Sequence, residues 1–196
     1  MDPESPTSSE GPGLDLSAFS RLYESLAPSL FAWASLRIHP QYRARLDPED
    51  VVQDVWWRAM DAAAQFDPAK GSFRAWVFRI ATNVLTDGYR RLAARGRPAD
   101  GSGAVREVSL PAEIVAHGTS ISKGAARSEA VGRLLEMLAN LDRDERTLFA
   151  HCALEGLSPQ DAAPLLGIGA DAAAKRWQRL RDRLRQSPHV RSFFGD

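Results

Sequence analysis

The chain has 196 residues, with 25 Lys+Arg balanced by 25 Asp+Glu, enough for one ordinary domain or two small ones. At 44% hydrophobic and 26% charged it can bury a core and stay in solution, which excludes the disordered, collagen-like and membrane-embedded classes. The neutral total hides an asymmetry: residues 1–88 hold 8 basic and 12 acidic side chains, a net −4, and the rest a net +4, so the halves are expected to face different partners.

Residues 1–16 are rich in Pro, Ser, Gly and acid, offer no burial to offset the entropy of ordering, and read as a disordered tail. Next, Phe19, Leu22, Tyr23, Leu26, Leu30, Trp33 and Leu36 recur at three- and four-residue steps, the period of an amphipathic helix, with Pro28 expected to bend or restart it. Asp47-Pro48-Glu49-Asp50 places an N-cap residue, a first-position proline and first-turn acids before the apolar stripe Val51, Val52, Val55, Trp56, Ala59 and Met60. After Phe66-Asp67-Pro68 and the turn Lys70-Gly71-Ser72, a third helix is expected from about Phe73 to Arg91, with Gly88 loosening or ending it.

Residues 93–128, with Arg95-Gly96-Arg97-Pro98 and Asp100-Gly101-Ser102-Gly103, read as a flexible linker, because some 35 irregular residues are uncommon inside one compact domain. Beyond it, Val131, Leu134, Leu135, Leu138 and Leu141 mark a helix face, and Asp142-Arg143-Asp144-Glu145 starts another helix that ends at Glu155-Gly156. Ser158-Pro159-Gln160-Asp161 opens a short helix to Leu166, Gly167-Ile168-Gly169 turns, and Asp171 to Arg185 forms the last long helix: the outline of a helix-turn-helix. Residues 188–196 are left as a tail. The fold class is therefore all-α, two small helical domains joined by a flexible linker, and no alternation of apolar and polar residues marks a strand.

Three constellations carry chemistry. In the last helix Ala173, Trp177, Leu180 and Leu184 share one face, while Lys175, Arg176, Arg179 and Arg183 lie elsewhere; such a helix can lie in a DNA major groove, or its charges can be a solvated face favoured by the helix dipole. On the second helix the acids Glu49, Asp50 and Asp54, with Gln53, sit beside adjacent Trp56 and Trp57, which cannot both point into one small core, so either one tryptophan meets a basic protein partner or it lies half-covered under a loop. Phe73, Trp76 and Arg79, with Arg90 and Arg91 further on, mix aromatics that can stack on unpaired bases with cations that can hold a backbone; Phe73, Trp76, Val77 and Ile80 also have core spacing.

Asp47 through Trp56, Phe73 through Asn83, and Gly156-Leu157-Ser158 through Ile168 together resemble an extracytoplasmic-function (ECF) sigma factor of the sigma-70 superfamily. The resemblance implies a sigma-2-like bundle over 17–92 and a sigma-4-like helix-turn-helix over 129–187 that bind core RNA polymerase, through its β′ coiled coil and β flap, and direct it to promoter DNA. By position it assigns Asp50, Gln53, Asp54 and Trp57 to the polymerase. Phe66, Phe73, Trp76, Arg79, Asn83, Arg90 and Arg91 fall to the −10 element, and Ser158, Ala172, Lys175, Arg176 and Arg179 to the −35 element. It also implies an anti-sigma partner. The chain departs from the family at Ala172 and Ala174, where threonine and lysine are usual, and at Lys175, often serine, which leaves Arg176 and Arg179 as the safer phosphate contacts.

Two other readings compete: an autonomous, dimeric helix-turn-helix regulator, which has no need of the acidic-tryptophan and aromatic-arginine helices, and an enzyme, for which no nucleophile motif or glycine loop accompanies the acids. His39, His117, His151 and His189 are scattered, so neither a metal site nor a cofactor is expected. Cys152, the lone cysteine, cannot form an internal disulfide; it reads as a small core residue and fits a reducing cytoplasm. Met1 to Pro6 lack the charged and apolar regions of a secretory signal, so secretion and membrane insertion are not expected.

Overall fold

A computed structural model describes residues 15–94, 121, 123–124 and 128–186; the expected N-terminal and C-terminal tails and most of the linker lie outside these. The described residues are helical or in turns, with no strand among them.

Helix α1 spans Leu16–Arg37, capped by the Asp15 carboxylate, which accepts from the Ala18 N–H at 2.7 Å. It runs unbroken through Pro28 rather than restarting there. Proline removes one donor, and burial of the flanking Leu26, Ala27, Ser29 and Leu30 outweighs that loss. Helix α2, Pro48–Asp61, starts as its sequence dictates: Asp47 accepts from the Glu49 N–H at 2.7 Å and Pro48 occupies the first turn. Helix α3 spans Phe73–Ala94. It does not loosen at Gly88, because that residue is a contact point: a Cβ there would stand 2.8 Å from Leu46 Cδ1, so the glycine lets the α1–α2 connection lie against the helix.

These three helices share an aromatic core. Phe19 packs on Trp56 with ring centroids 5.0 Å apart, Tyr23 meets Trp56 edge-on at 5.1 Å, and the buried Tyr23 hydroxyl donates to the Val52 carbonyl at 2.7 Å. The far end of α3 is tied back to α1 by the Tyr89 hydroxyl, which donates to the Arg37 carbonyl at 2.9 Å.

Past the linker, α4 (Glu129–Ala139) presents Val131, Leu134 and Leu138 to the core. Helix α5, Arg143–Phe149, begins with a capping box in which Asp142 and Glu145 satisfy each other's backbone N–H groups. It continues as a wider π-type turn, residues 150–155, that closes on Gly156 at φ 78°. Helix α6, Pro159–Leu166, ends on Gly167 at φ 67°, a left-handed turn that suits glycine, and α7 follows from Ala170 to Arg185. Ala162 and Ala163 on α6 and Ala173 on α7 are fully buried, so small side chains let the two helices approach closely.

The two groups of helices share one apolar core, in which α4 packs on α1, and meet as well in a polar seam at the π-turn. Arg37 Nη2 and Trp33 Nε1 each donate to Glu155 Oε1 at 2.6 Å, and His151 Nδ1 lies 2.8 Å from Glu155 Oε2. From α3, the Arg74 guanidinium donates to the Leu154 and Ala153 carbonyls at 2.7 and 2.8 Å. These carbonyls sit where the helix leaves its regular bonding pattern, so Arg74 supplies donors that the helix end lacks.

Candidate nucleic-acid and partner interfaces

The acidic face of α2 is open. Val51, Val52, Val55 and Trp56 point inward, which leaves Asp50 exposed and Gln53, Asp54 and Trp57 half-buried on the remaining arc. Trp56 and Trp57 thus divide as adjacent helical positions must, one in the core and one at its edge. Burial pushes the Asp54 carboxyl above its ordinary range, reinforced by the charge of Asp50 and opposed by Arg91 and Arg58. Arg91 lies 3.9 Å from Asp54, and Arg58 pairs with Asp87 at 2.9 Å, with Arg90 at 3.7 Å from the same carboxylate. Arg90 and Arg91, expected on DNA, are therefore engaged with acids beside the expected partner face.

Between α2 and α3 the chain folds into an open pocket of about 120 Å³. Asp67 shapes it by accepting from the Ala69 N–H at 3.0 Å and facing Lys70 at 3.3 Å; that backbone hydrogen bond, then Lys70, hold its carboxyl below the ordinary range. Its aromatic lining, Phe66 and Trp76, packs with Phe73 behind it, the three ring centroids standing 5.4 to 5.6 Å apart in all three pairings. Phe66 is buried, Phe73 and Trp76 are half-buried, and Phe66, Trp76 and Arg79 line the opening with Lys70 and Ser72. Asn83 lies outside the pocket but is exposed one turn beyond Arg79, so positions 76, 79 and 83 make one line along α3. The core spacing read from the sequence is thus realised with Phe73 and Trp76 still half-exposed.

In the helix-turn-helix, Ala173, Leu180 and Leu184 are buried and Trp177 half-buried, while Ala172, Lys175, Arg176 and Arg179 are exposed. The basic face is balanced from α5: Arg176 lies 3.1 Å from Asp144 and Arg183 2.7 Å from Glu145. Both arginines are about half exposed, so such pairs are weak and phosphate can replace the carboxylate. Ser158 caps α6, with its hydroxyl donating to Asp161 Oδ2 at 2.6 Å and accepting from the Asp161 N–H at 3.1 Å.

A sigma-70 region 2 family model matches residues 22–95, the segment that contains α2, the pocket and α3. The chain is 31% identical to RNA polymerase sigma factor CnrH of Cupriavidus metallidurans over 138 residues, 70% of this chain and 71% of that one. It is 31% identical to ECF RNA polymerase sigma factor SigC of Mycobacterium tuberculosis over 136 residues, 69% and 67% of the two chains. The chain belongs to the ECF sigma factors. Among solved structures, CnrH in complex with the cytosolic domain of CnrY is 29% identical, covers 88% of each chain and superposes with a TM-score of 0.40.

This sigma factor serves transcription initiation, and its family favours that reading over the autonomous regulator. No helix among its described residues is long and apolar enough to cross a membrane, and no group of three or more His, Cys, Asp or Glu there is placed to hold a metal ion. What the sequence missed is the seam. His151, one of four histidines scattered in the sequence, meets Glu155 and Arg37, and Trp33, from the periodic face of the first helix, and Arg74, from the aromatic-arginine run, reach the same turn. The available signals were Glu155 beside a helix-ending glycine and an i,i+4 His-Glu pair.

Proposed function

We propose that the sigma factor uses three separate surfaces, two of them in a sigma-2-like domain over 17–92 and one in a sigma-4-like domain over 129–187. Asp50, Gln53, Asp54 and Trp57 dock on the β′ coiled coil of core polymerase, where an acidic face with a half-covered tryptophan suits a basic helical partner. The loop from Phe66 to Phe73, with Trp76, Arg79 and Asn83, takes an unstacked non-template base of the −10 element, and Arg90 and Arg91 exchange their carboxylates for its backbone. Helix α7 lies in the major groove of the −35 element, with Lys175, Arg176 and Arg179 on phosphates and bases, Ala172 facing the base edges and Ser158 holding the entry to the motif; the same domain rests on the β flap. An anti-sigma factor covers these faces in the cytoplasm, and the chain performs no catalysis of its own.

The observation that supports this reading best is the aromatic pocket continued by exposed Arg79 and Asn83 on one line of α3, within the segment matched as region 2. Extruding a base costs a few kcal/mol, and stacking returns about 1–3 kcal/mol per base, so a shaped aromatic site can read sequence and drive melting with no nucleotide hydrolysis. Trp76→Ala tests this: with core polymerase, permanganate-detected melting of a cognate promoter falls about tenfold while binding to core polymerase is unchanged. Melting equal to wild type removes the pocket from the mechanism.

A further inference from the structure

We propose that the connection between α1 and α2 is a phosphate clamp for duplex DNA: Arg43 and Arg45, carried on a turn fixed to the end of α3, hold the promoter backbone directly upstream of the −10 element. The inference rests on the sigma reading above and adds a fourth contact surface to the three named there.

The turn is rigid and built onto α3. The Tyr42 N–H donates to the His39 carbonyl at 2.9 Å, the Arg43 N–H to the Pro40 carbonyl at 3.2 Å, and the Arg45 and Leu46 N–H groups both to the Tyr42 carbonyl at 2.9 Å. Two successive residues of α3 hold it in place. Gly88 leaves the space that Leu46 fills, and the Tyr89 ring meets Tyr42 edge-on with centroids 5.5 Å apart. The Tyr89 hydroxyl also accepts from the His39 N–H at 3.1 Å while donating to the Arg37 carbonyl. Arg43 and Arg45 flank these anchors, so their positions follow the end of α3.

The charge of the turn is left open. No acid lies between Arg37 and Asp47, both arginines are exposed, and neither pairs with a carboxylate among the described residues. On the neighbouring face, by contrast, Arg58 and Arg90 share Asp87 and Arg91 faces Asp54. Arg43 Nη2 donates to the Ser35 carbonyl at 3.0 Å, a neutral acceptor that orients the guanidinium without cancelling its charge. The large apolar side chains of the turn, Tyr42 and Leu46, pack on α3, so it lacks the exposed apolar centre of a protein interface and suits a row of phosphates. Its place along the DNA follows from α3. Gly88 and Tyr89 lie five and six residues past Asn83, about 8–9 Å at 1.5 Å per residue. Phosphates recur about every 3.4 Å along a strand, so the turn stands two or three steps beyond the base that Asn83 meets. Melting runs from the opened base towards the start site, and on the other side, where the turn lies, the strands stay paired.

The test uses holoenzyme assembled from core polymerase and the full-length chain, wild type, Arg43→Gln, Arg45→Gln or both, on a promoter that the wild-type holoenzyme selects from a library. Affinity is measured at graded salt. Each substitution lowers the slope of log affinity against log salt by about 1 and the pair by about 2, while helicity and capture of core polymerase stay as in wild type. Arg43→Lys, which keeps the charge, restores the slope. Should Arg43→Gln lose helicity, Arg45→Gln carries the test, since the Arg45 side chain bonds to nothing among the described residues. A second promoter carries neutral methylphosphonates in place of the phosphates directly upstream of the −10 element, and on it wild type and the double variant bind alike. An unchanged slope in the double variant overturns the clamp. A difference that persists on the neutralised promoter overturns it too, because the arginines then act on polymerase or on the fold. A wild-type holoenzyme that selects no promoter removes the sigma reading, and the clamp falls with it.

Discussion

Replacing Glu155 by glutamine isolates the seam's electrostatics from its shape. Burial alone pushes the Glu155 carboxyl up, but the hydrogen bonds from His151 and Arg37, the Arg37 charge and the Trp33 N–H together overcome it and hold the group at about 2, down from an ordinary 4.5. At 1.36 kcal/mol per pKa unit the shift corresponds to about 3 kcal/mol. Its side chain is only 11% exposed, so solvent screening reduces this little. A carboxyl whose pKa is lower in the folded state stabilises fully above its unfolded value, and the contribution disappears as pH falls from about 4.5 to about 2. Urea unfolding of wild type and Glu155→Gln, run from pH 7 to pH 2.5, lets the other carboxylates cancel in the difference. Glutamine still accepts from Trp33, so the geometry survives. Between about pH 4.5 and pH 2.5 the wild-type advantage is expected to shrink by about 2–3 kcal/mol. A difference that does not vary with pH over that window refutes the reasoning.

Arg176→Ala, which removes a phosphate contact from the exposed face of α7 along with a weak pair to Asp144, is expected to weaken promoter binding uniformly across −35 sequences. In binding isotherms at graded salt, the slope of log affinity against log salt falls by about 1. Cys152 is half-buried, and burial followed by the nearby Glu155 charge pushes its thiol up to about 12. Alkylation at pH 8 is therefore expected to proceed far more slowly in the folded chain than in urea, and labelling at equal rates would contradict this.

The parts of the fold that were legible are those governed by neighbours in sequence. Asp47-Pro48 and Asp142 through Glu145 announce helix starts because a cap needs only residues two or three positions on, and Gly167 announces a turn because its backbone angle is a property of one residue. The same local logic misread Gly88 and suggested a restart at Pro28 that the helix does not make. Intrinsic propensity disfavours both in a helix, yet Gly88 answers to Leu46, some forty residues earlier, and Pro28 is overridden by the burial around it. Trp76 and Arg79 were legible in an aromatic-arginine run, but Phe66 and Trp76 pack in the aromatic cluster and line the opening at once, which no spacing rule separates. The seam was illegible for a different reason: Arg37 and Glu155 are 118 residues apart, and only the folded chain brings them within 2.6 Å.

The most direct test is capture of bacterial core RNA polymerase by the full chain and by the double variant Asp54→Arg with Trp57→Ala, followed by transcription from a promoter library with the recovered enzyme. The account predicts that wild type captures core polymerase and initiates from a discrete promoter set, and that the double variant, folded by its helicity, captures little and initiates nowhere. Capture undiminished in the double variant contradicts the proposed docking face. A wild-type chain that binds duplex DNA alone and never captures polymerase contradicts the account as a whole.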